Sequence, residues 1–377
     1  MYAVTAFLIK TLYAILSALF PMKNRIVFLS RQSDSASLDF SLLKDCLKEN
    51  MSDWDIAESY HFRQTLPSIV RDVFLVATSR VCILDGYIPA VSIPKVRQEL
   101  LVVQLWHAMG AIKRFGWQAV GLKSGRPENM AKSLSMHANY SAIIAAGNGC
   151  IPAFTEAFRC SEEEVVVLGL PRMDYLFGMK KPDKGTLTND SMSVKSPELT
   201  PDRITILYVP TFRERENDAK EIETYVSQLA SAFPADTYSL LVSTHPFSTG
   251  AENTKNKDSI IHAPHIQSID LLKYADYVAT DYSAIAFEAA LIRKKVLFFV
   301  PDIETYRVSP GLNIDMEDSF PQISFRLAKD LESFVEQESV QNSYESTGFW
   351  EFCDDYLISS PEGSTERIVK YIRDRVI

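Results

Sequence analysis

In DLLKYADYVATDYSAIAFEAALIRKKVLFFVPD, residues 270–302, two short apolar runs flank a polar turn and an alanine-rich segment. Tyr277 to Ala279 is predicted as a strand, Thr280-Asp281-Tyr282-Ser283 as a turn, Ala284 to Ile292 as a helix and Val296 to Val300 as a second strand. That is a βαβ unit, the repeating piece of a parallel sheet. Its turn lies where a strand's carboxyl end meets a helix N-terminus, whose N–H groups and dipole favour an anion. Ser283 suits the N-cap, and Glu288 is too far along the helix to close a capping box with it. Taken alone, the turn is read equally well as a plain helix cap.

The same alternation extends on both sides. Strands are expected at 26–30, 55–60, 81–84, 100–104, 142–145 and 165–168, and again at 204–209 and 239–243. Helices are expected at 39–50, 68–77, 151–158, 225–233, 323–339 and 363–376, with a further one beginning near Lys113 and Arg114. Strands alternating with helices give an α/β fold with parallel sheets. Residues 179–203 (MKKPDKGTLTNDSMSVKSPELTPDR) carry Pro, Gly, Ser and Thr without periodicity and read as an interdomain linker. The expected division is an apolar helix over 1–22, one domain over 23–178, the linker over 179–203 and a second domain over 204–377. The last helix is expected to pack back on the first domain.

A chain of 377 residues with 46% apolar and 23% charged residues has the composition of a globular protein large enough for two domains. A net charge of −9 argues against a nucleic-acid partner. The five cysteines are scattered, odd in number and without CxxC spacing, which reads as reduced thiols rather than disulfides or a zinc site. Residues 1–21, MYAVTAFLIKTLYAILSALFP, are nearly all apolar, with Lys10 in the middle and Lys23 and Arg25 just after. The charge follows the apolar run, the reverse of a signal peptide. Centring Lys10 in a bilayer costs about 3 kcal/mol. A helix lying in the membrane interface is therefore expected, with Lys10 snorkelling and Phe7, Leu8, Leu12, Ile15, Leu16, Leu19 and Phe20 buried in lipid. A core helix ranks second and a true span third.

Four turns share one design, an apolar strand running straight into a polar cluster: Trp106-His107, Pro210-Thr211-Phe212-Arg213, Thr244-His245-Pro246 and Thr280-Asp281-Tyr282-Ser283. Ligands of open α/β sheets bind beyond the strands' carboxyl ends, so a site in a cleft between two domains is expected. His107 can serve as a general base, and can equally be a structural histidine. Arg213 offers a forked donor for phosphate, or is a solvated loop arginine beside Glu214 and Glu216. His245, held extended before Pro246, suits a phosphate oxygen or a capping role. His137, His262 and His265 read as ordinary surface residues. Walker A, GxGxxG, GxSxG and HExxH patterns do not occur, while paired aspartates leave Mg²⁺ open as a cofactor.

Together these stretches resemble the CDP-glycerol glycerophosphotransferase family of teichoic acid synthesis. The resemblance is carried by QLWHAMGAIKRFG (104–116), GLPRMDYLF (169–177), YVPTFRE (208–214), THP (244–246), LLKYADYVATDYSAIAFE (271–288) and LFFVPDIETYRVSPGL (297–312). It implies a GT-B-like fold of two Rossmann-like domains. Transfer of glycerol phosphate from CDP-glycerol to a hydroxyl of a lipid-linked saccharide is implied, releasing CMP at the cytoplasmic face of the membrane in teichoic-acid-like or capsular polymer synthesis. The short chain, the apolar helix and WHA in place of WHG are most similar to primase-type members. The resemblance implies His107 as base, His245 on the pyrophosphate, and Thr280, Asp281, Tyr282, Ser283 and Glu288 on the donor phosphates. It further implies donor contacts from Thr211 and Arg213, and Trp106 and Lys113 on the acceptor side. Ser243 stands where the family commonly has a basic residue, Ala284 where it has a second serine, and Glu288 where many members have Asp. CDP-ribitol is therefore an alternative donor. A GT-B glycosyltransferase using a nucleotide sugar is an alternative of another class, and a non-catalytic membrane adaptor a third.

Overall fold

The computed structural model describes residues 2–179, 199–200, 202–211, 218–243, 260–263 and 266–377. Arg213, His245, His265 and most of the expected linker lie outside them. The chain divides into two compact units: Met1–Tyr175 with Val308–Asn313 and Asp354–Ile377, and Leu176–Arg307 with Ile314–Cys353.

In the first unit, in chain order, come α1 (Tyr2–Leu19), β1 (Lys23–Ser30), α2 (Leu38–Asn50), β2 (Asp55–Tyr60), α3 (Leu66–Thr78), β3 (Ser79–Leu84), α4 (Pro89–Ser92) and β4 (Leu101–Gln104). α5 (Glu128–Ser133), β5 (Ala142–Ala145), α6 (Ile151–Phe158), β6 (Val165–Val167) and α7 (Pro171–Phe177) follow. Its sheet has six parallel strands in the order β2-β1-β3-β4-β5-β6. The second unit carries β7 (Ile204–Val209), α8 (Asp218–Ala232), β8 (Tyr238–Val242), β9 (Ile260–His262), α9 (Ser268–Leu271), β10 (Tyr277–Thr280) and α10 (Ile285–Leu291). β11 (Lys295–Phe299), α11 (Ile303–Val308), α12 (Met316–Ser319), β12 (Ser324–Phe325), α13 (Ala328–Gln341) and α14 (Phe349–Tyr356) complete it, and α15 (Ser364–Val376) returns to the first unit. Its six strands are also parallel, in the order β12-β11-β10-β7-β8-β9. The α/β reading with parallel sheets holds in both units.

Strands such as β5 and β8 are buried along their whole length, as expected where helices cover both faces of a sheet. Strand order reverses once in each sheet, between β1 and β3 in the first and between β7 and β10 in the second. At such a switch point neighbouring connections leave in opposite directions and open a crevice at the strands' carboxyl ends. The turns after β1, β3, β7 and β10 are therefore the places where each unit can take a ligand.

Three expectations change. No helix begins at Lys113: Lys113 pairs with Leu312 as an isolated antiparallel bridge, and Arg114 N–H donates to the Gly311 carbonyl. Gly116 ends this segment at φ +54, and a Cβ there would stand 2.3 Å from the Ala157 carbonyl oxygen, so close packing on α6 fixes the backbone. The N-cap of α10 is Ala284, not Ser283, although the Ser283 hydroxyl still accepts from the Ile285 N–H at 3.4 Å. The apolar residues of α1 do not all face outward. Ala6, Ile9 and Tyr13 are buried, and Leu12 and Leu16 pack on the same core, while Val4, Phe7, Leu8, Ile15, Leu19 and Phe20 face outward. Arg97 ties the helix down, donating its backbone N–H to Tyr13 Oη at 3.0 Å and its guanidinium to the Ser17 and Phe20 carbonyls.

Candidate functional site

The first unit builds its site from the turns after β1, β3 and β4. Gln104 closes β4 as a fully buried amide. Its Nε2 donates to the Gly86 carbonyl at 2.9 Å, and its Oε1 accepts the Trp106 N–H at 2.9 Å, so one side chain fixes two turns at once. Trp106 takes a left-handed backbone with φ 59, a conformation that costs a bulky residue energy and persists only where packing dictates it. Its ring stacks on Phe115 with centroids 4.7 Å apart and lies 4.1 Å from the His107 ring. The sharp turn and the stack together aim His107.

His107 Nδ1 is 2.9 Å from the Asp85 backbone carbonyl. A carbonyl only accepts, so Nδ1 carries the hydrogen and Nε2 keeps its lone pair in the neutral ring. The side chain reaches solvent, yet dense packing around the ring disfavours the cation and is the largest influence pulling its pKa below the ordinary imidazole value. The carbonyl bond opposes this, and the charges of Arg172 and Lys113 reinforce it. A neutral imidazole with one fixed tautomer is what a general base requires. Arg172 is itself anchored: its backbone N–H and Nε donate to Asp39 at 2.7 and 2.8 Å, joining the starts of α7 and α2. Asp174 of the same stretch accepts from Ser364 and Thr365 N–H at 3.0 and 2.8 Å and caps α15. The GLPRMDYLF stretch therefore works as a clasp within this unit.

Two residues here were not assigned from the sequence. Asp85 is buried; Ser30 Oγ donates to its Oδ2 at 2.8 Å, while Oδ1 is buried with no partner among the described residues. Burial pushes its carboxyl up to about 7. His137, expected on the surface, is buried: its Nδ1 lies 2.9 Å from Tyr140 Oη, and its ring meets Tyr87, Trp106 and Phe158 edge-on. Burial pulls its pKa down to about 3, so it is a neutral member of an aromatic cluster. The signal for Asp85 was a polar pair, Asp-Gly, ending an apolar strand. His137 carried no such signal, since its burial comes from residues distant in sequence.

The second unit builds its site at the β7/β10 switch point. Thr280 is fully buried and donates Oγ1 to the Val209 carbonyl at 2.7 Å. Asp281 is also buried, and its Oδ1 accepts from Thr211 N–H and Tyr282 N–H, each at 2.7 Å. A buried carboxylate does not take a phosphate dianion directly, so Asp281 acts as the buckle between the two turns. Tyr282 is buried, stacks on Tyr306 with centroids 3.8 Å apart and donates its hydroxyl to Asp302 at 3.1 Å. Glu288 is buried in the first turn of α10. The groups left to meet a ligand are the Thr211 hydroxyl, which has no partner among the described residues, and the Ser283 hydroxyl with the N–H groups around it. Thr211, Thr280, Asp281, Tyr282 and Ser283 are thus brought together, as are Trp106 and His107 in the first unit, where the Lys113 charge acts on His107; Arg213 and His245 lie outside the described residues. No group of three or more His, Cys, Asp or Glu side chains able to hold a metal ion occurs among the described residues.

Comparison with known proteins bears on these geometries. The profile of the CDP-glycerol:poly(glycerophosphate) glycerophosphotransferases matches residues 11–374. A teichoic acid ribitol-phosphate primase of Bacillus spizizenii is 30% identical over 96% of this chain and 94% of its own length. A teichoic acid glycerol-phosphate primase of Bacillus subtilis is 23% identical over 82% of this chain and 77% of its own. Among solved structures, the wall teichoic acid polymerase TagF, soaked with CDPG, superposes with a TM-score of 0.75 at 18% identity, covering 98% of this chain and 93% of that one. That likeness establishes the GT-B-like fold. With its profile matched over nearly the whole length, the chain belongs to the CDP-glycerol:poly(glycerophosphate) glycerophosphotransferase family.

Proposed function

We propose that the chain moves a polyol phosphate from a CDP-linked polyol to a hydroxyl of a membrane-bound, lipid-linked saccharide, releasing CMP. The observation that carries the reading is the Asp85 carbonyl on His107 Nδ1, which leaves Nε2 as a base of fixed orientation. The acceptor oxygen attacks the phosphorus bearing the polyol, the bond from that phosphorus to the CMP oxygen breaks, and the acceptor's proton passes to Nε2. Such a displacement depends on alignment and on neutralising phosphate charge. In this reading Trp106 and Lys113 attend the acceptor. The Thr211 hydroxyl, the Ser283 hydroxyl and adjacent N–H groups attend the donor phosphates, and Thr280, Asp281, Tyr282 and Glu288 hold them in place. Arg213 and His245 remain donor-side candidates from the sequence, with His245 on the pyrophosphate. The described residues offer no cluster for Mg²⁺, and no step is routed through one.

Between the two polyols, the longer and closer likeness to a ribitol-phosphate primase favours CDP-ribitol over the CDP-glycerol expected from sequence. Purified protein given CDP-ribitol, CDP-glycerol and a nucleotide sugar in parallel is expected to release CMP from a CDP-polyol only when a lipid-linked saccharide is present. Activity with the nucleotide sugar alone would replace this reading with the glycosyltransferase one.

The outward face of α1, with Val4, Phe7, Leu8, Ile15, Leu19 and Phe20, supports peripheral attachment at the cytoplasmic membrane face. Burying one such side chain is worth about 1.5–3 kcal/mol. Phe7→Glu with Leu8→Glu is therefore expected to cut co-sedimentation with anionic vesicles at least tenfold while the soluble protein stays folded. Undiminished co-sedimentation would remove α1 from the membrane contact.

A further inference from the structure

We propose that His61 and Gln32 form a saccharide-binding subsite in the first unit, where His61 Nδ1 accepts a hydroxyl of the acceptor. This deepens the functional reading above and rests on it for the identity of the ligand.

Residues 61–64 join β2 to the Thr65 N-cap of α3, beside the switch point between β1 and β3. His61 N–H donates to the Ser30 carbonyl at 3.0 Å, and Phe62 N–H donates to Asp34 Oδ1 at 2.9 Å, so the loops after β1 and β2 lie against each other. Ser59 and Asp72 are both buried, and Ser59 Oγ donates to Asp72 Oδ1 at 2.6 Å. His61 Nε2 stands 3.1 Å from the same Ser59 oxygen. That oxygen gives its hydrogen to the carboxylate, so it accepts from Nε2–H, and Nδ1 keeps its lone pair in the neutral ring. Nδ1 has no partner among the described residues.

Ser59 and Asp72 satisfy each other, and Gln64 Nε2 donates to Asp72 Oδ2 at 3.3 Å, so the fold does not need an imidazole at this position. The arrangement instead fixes the tautomer and direction of a half-buried ring. Its neighbours suit a sugar rather than an anion. Gln32 is exposed, and a Cβ on Gly86 would stand 2.9 Å from its Nε2, so the amide lies against the turn after β3. Phe62 offers an exposed ring. Arg31 and Arg63 of these loops are matched by Asp34 and Asp72, which leaves no excess of positive charge. Aromatic surface with a few hydrogen-bonding groups is the composition of a small-molecule site.

The base lies along the same sheet edge. Ser30 Oγ donates to Asp85 Oδ2 at 2.8 Å, and the Asp85 carbonyl accepts from His107 Nδ1 at 2.9 Å. Ser59 on β2 and Asp85 after β3 are two strand spacings apart, roughly 10 Å. An acceptor that presents one hydroxyl to His107 Nε2 therefore reaches His61 with a neighbouring sugar ring.

The test uses the full chain with His61→Ala, His61→Asn and Gln32→Ala, with melting temperatures to report folding. The KM for a lipid-linked disaccharide is expected to rise at least fivefold in His61→Ala and at least threefold in Gln32→Ala. The kcat and the KM for CDP-polyol are expected to stay within twofold of the parent. His61→Asn, whose Oδ1 can stand where Nδ1 stood, is expected to recover part of the loss. An acceptor KM unchanged in folded His61→Ala overturns the subsite; if that variant is unfolded, Gln32→Ala, changed only on the surface, decides in its place. An equal rise in the KM for CDP-polyol overturns the acceptor as the ligand. If the parent turns over no CDP-polyol, saturation-transfer NMR with N,N′-diacetylchitobiose decides. Signals lost in the alanine variants then leave a saccharide subsite without the functional reading, and signals absent or equal throughout overturn both.

Discussion

His107→Ala is expected to slow CMP release by roughly 10²–10⁴-fold, the usual contribution of a positioned general base. The KM for CDP-polyol is expected to change little, because the groups assigned to the donor belong to the second unit. Single-turnover CMP release with a lipid-linked acceptor measures this directly, and a loss smaller than threefold would remove His107 from the chemistry. The pH profile gives a second check. The base works when unprotonated, and its surroundings lower its pKa from the 6.5 of a free imidazole. Activity is therefore expected to be flat from neutrality down past 6.5 and to fall only in more acid solution. An acid limb near 7 would instead report Asp85, whose carboxyl is raised to about 7. Asp85→Asn separates the two: it keeps the backbone carbonyl that holds Nδ1, so it shifts the profile only if the carboxyl itself titrates in the rate.

The fold was legible because parallel strands buried on both faces leave an unmistakable pattern. IVFLS, AIIA and ITILYV are continuous apolar runs, and each is followed by a polar turn. The reading went astray where long-range packing sets the backbone. FGWQAVG after Lys113 has helical spacing, but residues 308–313 cross it and Gly116 packs on the Ala157 carbonyl, so a bridge and a short 3-10 turn form instead. α1 shows the same limit. Its apolar residues are alike in sequence, and only the packing of α3 and α5 decides that Leu12 turns inward while Leu8 faces out.

The site was legible as positions and less so as roles. Trp106-His107 and Thr280-Asp281 were found because polar residues at strand ends stand out against apolar runs. Gln104 and Asp85 obey the same rule, at the ends of β4 and β3, but their use is a contact between two turns. Spacing in the chain cannot show that a backbone carbonyl, rather than a side chain, sets the His107 tautomer. Nor can it show that the clearest acidic residue in the second site, Asp281, faces backbone N–H groups.

Asp281→Ala is expected to be the most destabilising single change in the second unit. It strands the N–H groups of Thr211 and Tyr282, both buried and both now bonded to one carboxylate oxygen at 2.7 Å. Hydrogen bonds to a charged acceptor contribute about 1.5–3 kcal/mol each, so the expected loss is roughly 3–5 kcal/mol, read as a lower urea midpoint. The turns after β7 and β10 would then separate, and the KM for CDP-polyol should rise with stability lost. Asp281→Asn distinguishes this buckle from a chemical role. Its amide oxygen can accept the same two N–H groups, so stability and donor KM are expected to stay near the parent, within about 1 kcal/mol. If the carboxylate charge were needed for proton transfer or for a cation, Asn would be as inactive as Ala while remaining as stable as Asp. Stability and activity that fall together in Ala and recover together in Asn are the signature of a residue whose work is to hold two strand ends in register.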